Sequence, residues 1–219
     1  MPSPLEKARQ DPDSMKAKIL AAARRVFSQY GYHGATTRTI AKEVGIDIST
    51  LYYHWGEKGD LYEAVLQDIA EDLRQQLIRV EKAVKGRPLA QRLDLAIDMM
   101  ADYYFEHPEI SNLTFFSCFR LTRPDVTVED PLPDLVDVII RSMGLAEPDG
   151  SVSHRSRMRI WCVTMAIHNL ISGEEMFRSL LGLDREAYVP LAKETLKFML
   201  VPAFAALERP DFASGDVEP

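Results

Sequence analysis

Hydrogen-bonding and aromatic side chains are concentrated in residues 48–58, which read ISTLYYHWGEK. Two hydroxyl residues, two tyrosines, a histidine and a lysine fall within about three helical turns. Hydroxyl groups can bond to base edges or phosphates, an imidazole can donate to phosphate, and an aliphatic side chain can contact a thymine methyl group. Such a cluster predicts either a small packed subdomain or a surface that contacts another molecule.

The charge distribution leaves the N-terminal quarter of the chain free to approach a polyanion. The whole chain of 219 residues has a formal net charge of -7. Residues 1–60 contain nine Lys or Arg and seven Asp or Glu, whereas residues 61–219 contain seventeen and twenty-six. Because the acidic excess lies after residue 60, the cluster belongs to a slightly basic segment of an acidic protein.

Three short helices are predicted around this cluster. Apolar residues at helical spacing over 19–30 predict an amphipathic first helix. A second helix is predicted over 37–44, with Thr36 as its cap, and a third over 48–54. Gly45 can take the positive φ of the turn between them. Two helices joined by a tight glycine turn have the geometry of a helix-turn-helix.

Longer helices are predicted after residue 57, and period-two alternation is nowhere sustained. One helix covers residues 58–85, a second begins at Pro88, and a third begins at the sequence HPE of residues 107–109. The remaining predicted helices cover residues 132–143, about 151–181 and about 185–208. The fold class predicted from these patterns is all-α.

Two of the later helices carry more apolar residues than one buried face can use. Within residues 158–171 only four residues interrupt the apolar pattern, namely Arg159, Thr164, His168 and Asn169. Residues 191–207 are similarly rich in apolar residues. A helix that is apolar on every side must be buried on every side, so we predict that two copies of the chain pair through residues 151–208. The alternative is that both helices lie in the core of a large bundle.

Residues 19–66 resemble the N-terminal domain of the TetR (tetracycline-repressor-type) family of bacterial transcriptional regulators. The matching pieces are ILAAARRVFSQYGY, TTRTIA, VGIDISTLYYH and KGDLY. The resemblance implies a helix-turn-helix DNA-binding domain over residues 14–57. It also implies a helical regulatory domain over 58–208, which dimerises through its last two helices and holds a small molecule. We expect a flexible arm over residues 1–13 and a tail over 209–219.

The third helix of this family enters the major groove of DNA, which implies the side chains that face a duplex here. The candidate DNA-binding residues are Thr36, Thr37, Arg38, Ile48, Ser49, Thr50, Tyr52, Tyr53, His54 and Lys58. Exposed N–H groups at the start of the second helix suit a phosphate, and Lys58 matches the family's phosphate-contacting lysine. Two interpretations of Ile48 stay open, as a core residue or as a thymine contact.

A small-molecule site in the second domain is implied by the same resemblance. The candidate effector-binding residues are aromatic, with a few other side chains: Tyr103, Tyr104, Phe115, Phe116, Phe119, Trp161, Met165, His168 and Asn169. Such a set suits a largely apolar effector. The alternative is that most of these aromatic residues belong to the core.

Other classes of protein fit the sequence less well. No zinc-protease, nucleophile-elbow, dinucleotide-binding or P-loop spacing occurs, so we expect neither catalysis nor a metal or cofactor. No apolar run is long enough to span a membrane and the N-terminus lacks a secretory pattern, so we expect a cytoplasmic protein. A helical adaptor would explain the dimer helices but not the polar cluster. The expected function is a repressor that a small molecule releases from a palindromic operator.

Overall fold

A computed structural model of the protein describes residues 2–118 and 132–205. Within these two ranges the chain forms eleven α-helices and no β-strand, which confirms the predicted all-α class. The helices are α1 (Pro4–Gln10), α2 (Met15–Gly34), α3 (Thr37–Val44), α4 (Ile48–Trp55), α5 (Lys58–Val84), α6 (Leu89–Glu106), α7 (Pro108–Cys118), α8 (Leu132–Ser142), α9 (His154–Ser172), α10 (Glu174–Leu181) and α11 (Arg185–Ala205). None of these described helices is both long and apolar enough to cross a membrane.

The described residues form two compact units, one of residues 2–73 with 109–118 and the other of residues 74–108 with 132–205. This division differs from the predicted domain boundary at residue 57. The first part of α5 packs in the first unit, where the ring of Tyr62 lies 4.9 Å from that of Phe27 on α2. Such a contact joins residues far apart in sequence. The predicted tail over 209–219 lies outside the described residues.

Residues 4–10 fall within the predicted flexible arm but form helix α1. The Ser3 hydroxyl accepts from the N–H of Glu6, and the Glu6 carboxylate accepts from the N–H of Ser3, which closes a capping box. Arg9 Nη2 lies 2.7 Å from Asp68 Oδ1 and 2.8 Å from Asp72 Oδ1, both on α5. Within the predicted arm, residues 4–10 are therefore helical and are tied to α5 by ion pairs of Arg9, contacts that composition does not indicate.

Helix α2 supplies much of the core of the first unit. Ile19 and Phe27 are fully buried, as the apolar pattern predicts. Tyr30, the last residue of that pattern, is 50% exposed. The helix kinks at the next residue, Gly31, whose φ of 65° and ψ of 175° are not helical. A Cβ atom at Gly31 would lie 3.2 Å from the Phe116 ring, so a side chain there would meet both backbone strain and crowding.

Helices α3 and α4 form the predicted helix-turn-helix. Gly45 ends α3 in the left-handed region (φ 78°, ψ 35°), and its N–H donates to the Ala41 carbonyl at 3.0 Å. Ala41, Leu51 and Trp55 are buried, so α4 is anchored from one side. The observed limits of α3 and α4 agree with the predicted ones to within one residue.

In the second unit, α6 pairs with α11 through apolar packing and ion pairs. Lys193 on α11 contacts Asp98 at 3.3 Å and Asp102 at 2.7 Å on α6. Lys197, one turn further along α11, contacts Asp94 at 3.2 Å. Matched charges on the rims of two packed helices fix which faces meet, although each exposed pair contributes little to stability.

The single helix predicted over residues 151–181 is wrong, because the chain breaks at Gly173 into α9 and α10. A Cβ atom at Gly173 would lie 2.8 Å from the Asn169 carbonyl oxygen and 2.7 Å from the Phe177 ring. Only glycine fits so close an approach to the Asn169 carbonyl, and Gly173 separates α9 from α10. The sequence Ser-Gly-Glu-Glu of residues 172–175 interrupts the apolar pattern at this point and was the local signal for the break.

Candidate functional site

The exposed face of α4 carries hydrogen-bonding side chains on a helix whose other face is fixed in the core. Tyr53 is 85% exposed, and Ser49 and Tyr52 are exposed as well. Leu51 and Trp55 lie on the other face of the same helix and are buried. A rigid helix with free hydroxyl groups on its outer face suits the reading of base edges.

Three of the predicted contact residues on α4 are half-buried rather than exposed, namely Ile48, Thr50 and His54. Ile48 is therefore neither a fully buried core residue nor a fully exposed one. Burial and the charge of Lys16 lower the pKa of the His54 imidazole. His54 is accordingly neutral at neutral pH, so it can donate an N–H but adds no positive charge.

The N-terminus of α3 brings a helix cap, free N–H groups and an ammonium group together. Thr36 is the cap, since its Oγ1 accepts from the N–H of Thr39 at 3.0 Å. The Lys58 ammonium donates to the carbonyl of Ala35, the residue before the cap, at 2.7 Å, and lies 4.4 Å from the Tyr32 ring centroid. Burial lowers the Lys58 pKa. This arrangement holds a cation beside the positive end of a helix, where an anion is favoured.

The three predicted residues at this helix start are all accessible to solvent. Thr36 and Arg38 are exposed, and Thr37 is half-buried. The structure therefore places the predicted DNA-binding residues on two neighbouring elements, the start of α3 and the outer side of α4. Both lie in the first unit.

The start of α5 is capped by a residue that sequence reasoning did not single out. The Asp60 carboxylate accepts the N–H of Glu57 at 2.7 Å, which satisfies one of the free donors at the helix start. A Cβ atom on Gly56 (φ 72°) would lie 2.5 Å from the same carboxylate, so glycine is required beside it. An acidic residue three positions after the first donor was the sequence signal for this cap.

A partly open, mostly apolar cavity lies within the second unit. Helices α5, α6, α8 and α9 supply its walls. The lining residues are mostly aliphatic: Leu77, Val80, Leu93, Ala96, Ile97, Met100, Tyr104, Ile139, Ser142, Met143, Ile160, Val163, Thr164 and Ile167. A concave apolar site is typical of small-molecule binding.

The two short hydroxyl side chains in this wall are already bonded to their own helices. Ser142 Oγ donates to the Ile139 carbonyl at 2.9 Å, and Thr164 Oγ1 donates to the Ile160 carbonyl at 2.9 Å. Because these donors are satisfied, neither demands a polar partner from a ligand. None of the described residues that line the cavity carries a charge. The wall therefore suits hydrocarbon.

Residues 19–65 match the family model described as bacterial regulatory proteins, tetR family. The chain is 31% identical over 109 residues to the HTH-type transcriptional repressor SCO4008 of Streptomyces coelicolor, covering 50% of this chain and 52% of that protein. It is 30% identical over 152 residues to the HTH-type transcriptional activator FasR of Mycolicibacterium smegmatis, covering 67% of this chain and 65% of that protein. The chain belongs to the TetR family of bacterial regulatory proteins.

This TetR-family chain spans about half the length of the first relative and 65% of the second. Its fold also resembles that of the transcriptional regulator FadR from Bacillus subtilis, solved in complex with stearoyl-CoA. The TM-score is 0.54 at 18% identity, with 84% of this chain and 96% of that chain covered. The relatives are named as regulators of transcription and not as enzymes, one as a repressor and the other as an activator.

Of the effector-binding residues predicted for this TetR-family protein, Tyr104 lines the cavity. His168 is buried with its ring 4.6 Å from that of Tyr104, and burial lowers its pKa to about 4. The cavity wall does not include the other predicted residues of the second unit, which are Tyr103, Trp161, Met165 and Asn169. Phe115 and Phe116 belong to the first unit, and Phe119 lies outside the described residues.

The predicted effector residues of the described chain lie on α6, α7 and α9, whereas the cavity is lined from α5, α6, α8 and α9 and by a different face of α9. Ile160, Val163 and Ile167 face the cavity, whereas Trp161 and Met165 lie on the adjacent stripe of the helix. Aromatic residues were favoured as pocket walls, but the described cavity is mainly aliphatic. When a helix is apolar nearly all round, its pattern alone does not indicate which stripe faces a cavity.

Proposed function

We propose that this TetR-family protein is a sequence-specific transcriptional regulator that reads a palindromic duplex through α4 and responds to a largely apolar effector. The DNA-binding part of this proposal rests on one observation. The exposed hydroxyl groups of Ser49 and Tyr53 lie on a helix that Leu51 and Trp55 anchor in the core. Such a helix can enter a major groove without rearrangement, so little ordering entropy is lost on binding.

The palindrome follows from dimerisation, which exposed apolar side chains on α9 and α11 support. Phe198 is 79% exposed, and Leu191, Met199 and Met158 are exposed as well. The three residues on α11 lie at helical spacing, so they form one stripe. Exposed apolar surface of this kind is typical of an interface, and an interface between identical copies is most often two-fold. Two-fold symmetry in the protein requires two-fold symmetry in the operator.

The cavity in the second unit supports an effector that carries a flexible aliphatic chain. Its wall is hydrocarbon, with Met100 and Met143 as adaptable side chains. The similar protein FadR was solved with stearoyl-CoA, which contains such a chain. We propose that the effector releases the protein from its operator, as expected for a repressor.

Selection of bound duplexes from a random pool tests the DNA-binding proposal. The selected duplex is then titrated by fluorescence anisotropy across a salt series. Affinity should fall steeply with rising salt, because phosphate contacts release counterions. An absence of duplex binding at low salt would contradict the proposal. Adding a straight-chain ligand to the complex then tests the proposed release, because an effector of this kind should lower the affinity of the protein for the duplex.

Substitutions at the proposed phosphate-contacting and base-contacting residues are expected to have different effects. Lys58→Ala should weaken binding to all duplexes and reduce the slope of log K against log salt by about 0.9, because one phosphate contact is lost. Tyr53→Ala, like Thr50→Ala, should change which duplex is preferred, by about 1–3 kcal/mol at one base position. Lys58→Arg is the control and should keep most of the slope. An unchanged slope in Lys58→Ala would remove the phosphate assignment.

Filling the cavity should weaken ligand binding without affecting DNA binding by the free protein. Straight-chain alkanols should bind more tightly by about 0.8 kcal/mol for each added methylene until the cavity is full. Ala96→Phe should reduce alkanol affinity by about tenfold or more, ~1.4 kcal/mol, measured by isothermal titration calorimetry. Ala90→Phe, on the same helix but outside the wall, is the matched control. Tighter binding of planar aromatic alcohols than of straight chains would contradict the aliphatic assignment.

A further inference from the structure

Tyr104, on α6, contributes a hydroxyl side chain to the mostly apolar wall of the cavity in the second unit. The residue is only 5% exposed, so it belongs to the wall and not to the outer surface. We propose that its hydroxyl donates a hydrogen bond to an uncharged oxygen of the effector, such as the carbonyl oxygen of a ketone or an ester on an aliphatic chain. This inference rests on the proposed effector-binding function and names the polar group that the cavity selects.

The Tyr104 hydroxyl differs from the other hydroxyl groups of the described wall in lacking a partner there. Among the described lining residues, hydroxyl side chains are carried by Ser142, Thr164 and Tyr104. Ser142 and Thr164 each donate to a carbonyl of their own helix at 2.9 Å. Within residues 2–118 and 132–205, the Tyr104 hydroxyl forms no hydrogen bond. Its donor is therefore available to a ligand.

The Tyr104 oxygen is also accessible from the cavity. A few side-chain polar atoms of the described chain are sealed from solvent and lack a partner, among them the hydroxyl oxygen of Tyr62. The Tyr104 oxygen is not one of these sealed atoms. Since the residue borders the cavity and has little other exposure, its oxygen is reached through the cavity.

The ring of Tyr104 is held by packing on neighbouring rings. Its centroid lies 4.6 Å from that of His168 on α9 and 5.8 Å from that of Tyr103. A ring that is fixed in this way orients its hydroxyl before a ligand arrives. Little conformational entropy is then lost when the hydrogen bond forms.

The charge state of the wall favours an uncharged acceptor. Burial raises the pKa of the Tyr104 hydroxyl, so the group keeps its proton and remains a donor at neutral pH. Burial lowers the pKa of His168 to about 4, so the neighbouring imidazole is neutral. A carboxylate would therefore find no cation in the described wall, and burying it without one is costly.

An aliphatic chain that carries a carbonyl oxygen satisfies both kinds of group in the wall. Its hydrocarbon part packs on side chains such as Leu93, Ile97 and Val163. A ligand of hydrocarbon alone would cover the Tyr104 hydroxyl and leave its donor unpaired, which is unfavourable in a buried site. The cavity should therefore discriminate against a ligand of the same shape that lacks the acceptor.

Calorimetric titration of the full-length protein with two ligands of the same shape tests this assignment. The ligands are methyl hexyl ketone and the alkene in which a methylene group replaces the ketone oxygen. Tyr104→Phe should weaken ketone binding by about three- to tenfold, the contribution of one neutral hydrogen bond. The alkene should bind Tyr104→Phe at least as tightly as it binds the wild type. Because each ligand is compared with itself, the difference in hydrophobicity between the two ligands cancels.

Thr164→Val is the matched control. It removes a hydroxyl of the wall whose donor is already used within α9, so the ratio of ketone to alkene affinity should not change. Infrared spectroscopy provides a readout that altered packing alone would not produce. The carbonyl stretch of the bound ketone should lie at lower frequency in the wild type than in Tyr104→Phe, because a hydrogen bond weakens the C=O bond.

The outcomes separate this inference from the proposed function. A wild-type protein that binds neither ligand would overturn the proposed aliphatic effector site, and this inference with it. If the wild type binds both ligands, and Tyr104→Phe leaves ketone binding unchanged or weakens both ligands equally, the hydroxyl assignment alone is overturned. Tighter binding of octanoate than of the ketone would also overturn it, because the expected acceptor is uncharged.

Discussion

Replacement of Phe198 by glutamate is expected to convert the protein into monomers and to lower its affinity for a palindromic duplex by about 10²–10⁴-fold. Phe198 is 79% exposed on α11, within the apolar stripe proposed to meet a second copy. Burying a charge there without a partner is costly, so the dimer should dissociate. A monomer reads only one half-site and loses the effective concentration that links two reading helices. Analytical ultracentrifugation and fluorescence anisotropy measure the two effects.

Val138→Glu is the matched control for this substitution. Val138 is an exposed apolar residue on α8, outside the proposed α9 and α11 stripe. The control should remain dimeric and keep its affinity for the duplex. A Phe198→Glu protein that stays dimeric at the concentration where the wild type is dimeric would contradict the proposed interface.

Replacement of Arg24 by alanine is expected to lower the free energy of unfolding by about 3 kcal/mol. Arg24 Nη1 lies 2.7 Å from both Asp68 and Asp72 on α5, and Nη2 lies 3.2 Å from Glu109 on α7. The Arg24 side chain is only 15% exposed. Its removal leaves carboxylates of α5 and α7 in a site of reduced solvation without their main partner. Urea denaturation followed by circular dichroism measures the loss.

The neighbouring Arg25 provides a control for this effect. It pairs with Glu43 at 2.6 Å, but its side chain is 62% exposed. Ion pairs in water contribute little, so Arg25→Ala should cost only about 0–1 kcal/mol. Equal losses in the two variants would show that the Arg24 network adds no more than a surface pair.

Helices α3 and α4 were predictable because their determinants are local. Thr36 caps α3 and Gly45 adopts the positive φ that ends it, and both signals lie within a few residues of the structure they produce. Leu51 and Trp55 fall at helical spacing and are buried, as their pattern indicates. Local signals of this kind depend on backbone geometry and side-chain capping, which a short stretch of sequence contains in full.

The cavity was less predictable because its determinants are distant from one another. Tyr104 lines the cavity, but the rest of the wall comes from residues of four helices. The pattern of α9 offers several apolar stripes, and only its packing selects the one that includes Ile160 and Val163. Composition likewise suggested aromatic walls, whereas packing presents aliphatic ones.

The sequence by itself therefore determined the all-α class, the helix-turn-helix and the family, because periodicity, caps and turn glycines act over a few residues. Only the tertiary structure decided which face of α9 lines a cavity and that α1 is a helix whose Arg9 pairs with Asp68 and Asp72. These features depend on contacts between residues far apart in the chain. Such contacts form only when the helices pack, and no local pattern encodes them.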